Sequence, residues 1–328
     1  MCGIQQWTIH LFPILTSIMK KVLLYILGII LCLTVADIAL GICSKYYIQN
    51  FDLKGRYQPL DKLIKKVNTD IILIGNSGIL NSVNPEIIED SLSMTCYNGG
   101  ITGQSVFFFE TIIDCIMQRH TPKMFIVGLR PEEIGGNIGE GIYDVLKPYY
   151  GMGYTSIDDH FNETSGFDRF LLHSNLLRYN TIWVRVLLYM LFDNTTYPEN
   201  GFMPMDKPSM IPQLHHIEEY EEPVKDKLEC IERIIQKCKA SNIDIVICFP
   251  PTLSFFKHGV TPCVNAVKDL CTRYNTPCFI DYNNEYFYRH PELFYDTGHV
   301  NKDGADIYSM ILSYKLHHIY GKTKTIIY

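Results

Sequence analysis

Ser77 and His299 are the residue types of a nucleophile and its base, and Asp296 stands just before the histidine in Tyr295-Asp296-Thr297-Gly298-His299. A serine hydroxyl attacks a carbonyl only when a base takes its proton. Imidazole is the usual base, and a carboxylate beside it fixes the tautomer and stabilises the imidazolium. Ser77 lies in Ile71-Ile72-Leu73-Ile74-Gly75-Asn76-Ser77-Gly78, where a continuous apolar run closes on glycine and a strand is expected to turn into a helix. Such a turn presents a side chain openly and leaves backbone N–H groups near it to bind an oxyanion. Together the three residues point to acyl hydrolysis or acyl transfer. Each signal also has an ordinary reading: Gly-Asn-Ser suits a turn or a helix cap, and Asp-x-x-His suits a surface carboxylate beside a helix-proximal imidazole.

The elements that must position these residues are legible as alternating patterns. Buried-type strands are expected at 70–74, 94–97, 124–129, 243–249 and 277–281, each a short apolar run. Helices are expected at 85–92, 104–118, 223–240, 264–274 and 303–320, the first opened by Asn84 as N-cap and Pro85 as first residue. Strands alternating with helices at these lengths imply a parallel sheet covered on both faces. The expected architecture is α/β: a three-layer α/β/α domain with a flavodoxin-like parallel sheet of about five strands, preceded by one N-terminal transmembrane helix. Ligands of such sheets bind beyond the carboxyl ends of the strands. Ser77, the run 98–103, Arg130 and Pro250 all follow expected strand ends, and Asp296 and His299 sit between the last strand and the last helix.

Residues 22–43 form 22 positions with one charge, Asp37, long enough to cross a bilayer core of about 30 Å. Lys20 and Lys21 before them favour a cytoplasmic start, a single-pass membrane protein, and a soluble domain outside the cytoplasm. A cleaved signal peptide fits less well, because no small-x-small site precedes Ser44. Asp37 would snorkel or pair with a partner helix. Residues 1–21 read as a cytoplasmic tail, and Met19-Lys20-Lys21 itself resembles a natural start. Residues 44–69 read as a polar linker, 70–320 as the domain, 131–222 as an insertion within it, and 321–328 as a tail. The insertion has glycine-rich loops (Gly135, Gly136, Gly139, Gly141, Gly151, Gly153) and an aromatic stretch at 170–192 broken by Arg178 and Arg185. It is expected to be partly helical and to lid the site or to contact a membrane or partner.

The 328-residue chain is 47% hydrophobic with net charge -6, and its Lys and Arg are scattered, so nucleic acid is not an expected partner. None of the eleven cysteines forms Cys-x-x-Cys, which argues against zinc and thioredoxin chemistry. They read as buried core thiols, with a Cys271–Cys278 disulfide as the alternative in an exported domain. His215-His216 with Glu218, Glu219, Glu221 and Glu222 has the spacing of an acidic solvated linker rather than a metal site. No cofactor and no metal are expected. The aromatic residues of 286–295 could stack on sugars or pack under the catalytic loop.

Over most of 70–320 the sequence resembles the SGNH/GDSL hydrolase superfamily, and most of all its membrane-anchored extracytoplasmic members, similar to bacterial polysaccharide O-acetylation and D-alanyl transfer proteins. Gly75-Asn76-Ser77 matches the first block with Asn for Asp, and Asp296 and His299 match the last. Asn98-Gly99-Gly100-Ile101-Thr102-Gly103 fits the second block, with Gly103 the best match and Gly100 the next. The third block, which normally supplies an Asn, reads Gly128-Leu129-Arg130-Pro131-Glu132-Glu133 here, so Arg130 is the candidate replacement donor. The resemblance implies catalysis by Ser77, Asp296 and His299, with an oxyanion hole from Ser77, Gly103, Gly100 and Arg130. It implies an esterase or O-acyltransferase, acetyl by preference, acting on a cell-surface polysaccharide. An acylated glycan or acyl donor and a membrane-bound acyltransferase are the implied partners. The alternative is an inactive module of the same fold that binds glycan or scaffolds a membrane complex.

Overall fold

The computed structural model describes residues 4–136, 145–162, 166–192, 197–217, 221–256 and 260–320. Gly139, Gly141, Glu218, Glu219 and the tail 321–328 lie outside the described residues. The helices are α1 (Ile4–Asn50), α2 (Gln58–Lys65), α3 (Ser77–Leu80), α4 (Pro85–Leu92), α5 (Val106–Met117), α6 (Pro131–Gly135), α7 (Thr155–Asn162), α8 (Gly166–His173), α9 (Asn175–Phe192), α10 (Lys225–Ala240), α11 (Pro262–Arg273), α12 (Glu285–Tyr288) and α13 (Lys302–Tyr320). The strands are β1 (Ile71–Ile74), β2 (Cys96–Asn98), β3 (Met124–Gly128), β4 (His215–Ile217), β5 (Asp244–Phe249), β6 (Ser254–Phe256) and β7 (Cys278–Ile280).

Five strands form one parallel sheet in the order β2-β1-β3-β5-β7. The chain therefore moves outward from β1 to β2, returns to β3 on the other side, and continues to β5 and β7. The order reverses between β1 and β3, which opens a crevice at their carboxyl ends. Successive side chains of a strand point to opposite faces, and the two cores follow that period of two. Ile72, Ile74, Phe125, Val127, Ile245 and Ile247 pack with residues of α2, α5, α10 and α11. Ile71, Leu73, Met124, Ile126, Val246 and Cys248 pack with residues of α4 and α13. This is the three-layer α/β/α arrangement. Asn84 caps α4 as expected, accepting from Glu86 N.

Two regions differ from the sequence reading. Residues 44–69 are not a linker but part of the core. Leu53, Tyr57, Leu60, Leu63 and Ile64 are buried, and Leu53 N and the Tyr149 hydroxyl both donate to the buried Asp61 carboxylate. The missed signal is the 60/63/64 spacing of apolar residues behind Pro59, which makes one apolar stripe on a short helix. His215 and His216 are exposed, as a solvated segment implies, but they stand in β4, which pairs with β6. Cys271 and Cys278 carry free thiols, in keeping with the reading of core thiols and not with the alternative disulfide.

The anchor expected at 22–43 is the middle of a longer helix. From Thr16 to Asn50 it is long and apolar enough to cross a membrane. Asp37 pairs within the chain: its carboxylate accepts from Leu176 N (2.8 Å), Ser174 Oγ (2.7 Å) and Asn175 Nδ2 (3.1 Å) at the start of α9. Further along, Trp183 Nε1 donates to Ser44 Oγ at 2.7 Å, and Ile48 is fully buried. Because α2 is core, Leu63→Ala is expected to cost about 2–5 kcal/mol in urea unfolding; a cost near zero would return 44–69 to the status of linker.

Candidate active site

β1 ends at Ile74 and the chain turns at once into α3, whose first residue is Ser77. Asn76 is the N-cap, and its Oδ1 accepts from Gly78 N at 2.6 Å. On the other side of the crevice, Asp296 and His299 close a tight loop before α13. Phe294 and Val300 form an antiparallel bridge, and Tyr295 N donates to His299 O at 2.9 Å. The Asp296 carboxylate accepts from Gly298 N and His299 N, both at 2.8 Å, and from the imidazole Nδ1 at 2.9 Å. It thereby shapes the loop and orients the ring. Nε2 of that ring lies 2.8 Å from Ser77 Oγ. Nδ1 facing a carboxylate carries the proton, which leaves Nε2 free to accept from the serine.

His299 is largely buried, with 19% of its side chain exposed. Burial and the nearby Arg130 guanidinium push its pKa below the usual histidine value, and Asp296 only partly opposes them. The ring is therefore neutral, and so able to accept a proton, down to a lower pH than a free histidine.

Arg130 follows β3, and its Nη2 donates to the Gly298 carbonyl. It also backs onto the serine turn: a Cβ on Gly78 would lie 2.8 Å from Arg130 Nε. Arg130 thus bridges the serine turn and the histidine loop. Buried Glu133 completes this support, accepting from Asn76 Nδ2 and from Arg130 N (2.9 Å). Burial raises its pKa to about 8. Glu133 was not singled out in the sequence; its signal was its place one turn after Arg130-Pro131, where a capping carboxylate reaches back.

Ser77 and His299 open into a cavity of about 520 Å³, whose wall includes Gly100, Ile101, Thr102 and Gln104. Of the candidate oxyanion donors, Gly100 N–H is already given to Asn98 Oδ1 at 3.0 Å. Gly103 has φ +75, a left-handed conformation open to glycine, and stands between the two lining residues Thr102 and Gln104. Arg130 is not among the lining residues. Arg56, Pro59, Tyr197, Met203 and Met205, which do line the cavity, come from the supposed linker and the insertion, and no motif marked them. In the 286–295 aromatic run, Phe287 and Phe294 are buried and pack together under the histidine loop (6.0 Å between ring centroids), whereas Tyr286 and Tyr295 are exposed. Among the described residues there is no group of His, Cys, Asp and Glu that could hold a metal.

The five-stranded parallel sheet puts the serine after its first strand and Asp-x-x-His before its last helix, and brings together the three residues that the resemblance to SGNH/GDSL hydrolases singled out. No family model and no curated protein matches the chain. Among solved structures it is similar to a putative lipolytic protein of the G-D-S-L family from Desulfitobacterium hafniense, at 10% identity and TM-score 0.37, over 75% of this chain and 99% of that one. It is also similar to an acetyl xylan esterase, at 13% identity and TM-score 0.37, over 76% and 98%. A third is a mutant of an acetyl-xylooligosaccharide esterase from Geobacillus, at 11% identity and TM-score 0.37, over 77% and 95%.

Two outcomes are expected. Arg130→Met removes the positive charge that disfavours the imidazolium, so the acid limb of the kcat/KM–pH profile should move to higher pH. An unmoved limb would show that Arg130 does not act on His299. Glu133 binds its proton more tightly folded than unfolded, so its contribution to stability is full below 4.5 and is lost as pH rises through about 8. The unfolding free energy of Glu133→Gln should therefore gain on that of the unsubstituted protein across this window, measured by urea melts at several pH values.

Proposed function

We propose that this protein is a serine esterase or O-acyltransferase that passes an acyl group, acetyl by preference, through Ser77 while acting on a cell-surface polysaccharide. The observation that carries this reading is the unbroken relay from Asp296 through His299 to Ser77, with both contacts at hydrogen-bond length. Ser77 Oγ attacks the ester carbonyl as its proton passes to His299 Nε2. The carbonyl oxygen becomes an oxyanion, received by the N–H groups of Ser77 and Gly103. On collapse, the alcohol leaves with the proton from His299, and Ser77 holds the acyl group. Water or a sugar hydroxyl then repeats the sequence in reverse, which is all that separates hydrolysis from transfer.

The length and apolarity of α1 support a single-pass membrane protein, and Lys20 and Lys21 before the apolar stretch support an extracytoplasmic domain. That placement would put the site beside surface polysaccharide and a membrane-bound acyl donor. The desolvated imidazole, with its pKa held below the usual histidine value, supports this reading over the inactive binding module.

The test is fluorophosphonate labelling of the full chain in detergent, with Ser77→Ala and His299→Ala alongside. Labelling should vanish in Ser77→Ala and slow by about 10³-fold or more in His299→Ala. A folded protein that takes no label would leave the binding-module reading standing.

A further inference from the structure

Beside the catalytic cavity lies a second, smaller space of about 170 Å³. The two abut along shared walls, Pro59, Leu80, Tyr197 and Met203. Leu80 ends the same short helix that Ser77 begins, so the second space starts one helical turn from the nucleophile. Its chemistry is different. The catalytic cavity is lined by apolar Leu80, Ile101, Val145 and Met205 together with Arg56, Asn81, Thr102 and Gln104. The second space has a mixed wall, with Pro198 and Tyr97 beside charges that come in opposite pairs. Lys62 pairs with Glu199, and Lys66 with Asp52 at 2.6 Å. Lys62 Nζ also lies 5.6 Å from the centre of the Tyr97 ring.

We propose that this second pocket is the subsite for the alcohol part of the ester, and that it takes one sugar ring bearing free hydroxyls. The inference rests on the reading of Ser77 as the nucleophile. Asp61, also in the wall, is paired with Lys65 behind it, so each charge in the wall has an opposite partner, and donors and acceptors close together suit a neutral polyol and give nothing to a fatty chain. The space equals that of about five or six waters at roughly 30 Å³ each, room for one ring rather than a chain of them. The paired charges gather in the second space and not in the one that holds Ser77, which fits an ester whose alcohol part is a sugar. Asp52, Lys62 and Lys66 belong to the segment between α1 and β1, and Glu199 to the one between α9 and β4. Specificity on this reading comes from segments that carry none of the catalytic residues.

The experiment compares two acetyl esters on the full chain in detergent: p-nitrophenyl acetate and partially acetylated xylooligosaccharides. Lys62→Met keeps the stem and removes the ammonium, and Glu199→Gln removes the opposite charge. Each should lower kcat/KM on the oligosaccharide by about tenfold more than on p-nitrophenyl acetate, the loss appearing in KM. Lys123→Met, an exposed control just before β3 at the amino ends of the strands, should leave the ratio unchanged. Equal losses on both esters, or no loss on the saccharide, would overturn the subsite. So would an unsubstituted enzyme that cleaves p-nitrophenyl acetate and ignores the saccharide. Absence of both cleavage and fluorophosphonate labelling would instead strike the nucleophile reading beneath it.

Discussion

The 2.8 Å contact between His299 Nε2 and Ser77 Oγ joins residues 222 positions apart, and two separate loops must be held still for it to persist. Each loop is fixed by its own side chain first. Asn76 ties the serine turn through Gly78 N, and Asp296 ties the histidine loop through two backbone amides. Arg130 then spans them, with its guanidinium on the Gly298 carbonyl and its stem end against Gly78. The sheet order supplies the setting, because β1 and β3 are neighbours at the point where the winding reverses. The serine follows one of these strands and the arginine the other.

Electrostatics within this frame explain why Asn stands at 76, where the first block of the SGNH/GDSL hydrolases that the sequence resembles has Asp. Asn76 donates its amide to Glu133, whose carboxyl is fully shielded from water. An Asp at 76 would set a second carboxylate against the first, and two acids sharing a buried site oppose each other's ionisation. Asn serves both neighbours, giving a donor to Glu133 and an acceptor to Gly78. Arg130 adds positive charge beside His299, which weakens the ring as a base but keeps it unprotonated over a wider range of pH.

Much of the frame could be read from residues alone. The five expected strands match the observed ones within one or two residues, because buried parallel strands are short continuous apolar runs with little competing signal. The Ser77, Asp296 and His299 assembly was legible because chain order and strand ends constrain it. The segment between α1 and β1 was not. Its Lys and Asp residues suggested solvent, but Lys65 and Asp61 pair with each other and Lys65 reaches the Ile48 carbonyl, so polar residues serve the interior. The cavity wall from Tyr197 to Met205 was invisible for another reason: irregular chain is placed by tertiary contacts such as Asn98 N to Asn200 O and Met203 N to Leu80 O, which have no periodicity. Arg130 was marked as a donor to substrate; its guanidinium stands on the Gly298 carbonyl and beside Gly78, contacts that depend on rotamer and not on position in sequence.

The junction of α1 with the domain has a mechanical meaning. Asp37, Ser44 and Ile48 are joined to α9 or to the core, so the apolar helix enters the domain without a joint. A tethered enzyme on a loose stalk samples a hemisphere of positions and meets substrate wherever it drifts. One mounted on a stiff mast keeps its mouth at one elevation and one heading. Where Thr16–Asn50 crosses a bilayer, the reach of the site is set by the length of that mast, and substrates would be sorted by their height above the lipid before any pocket touches them.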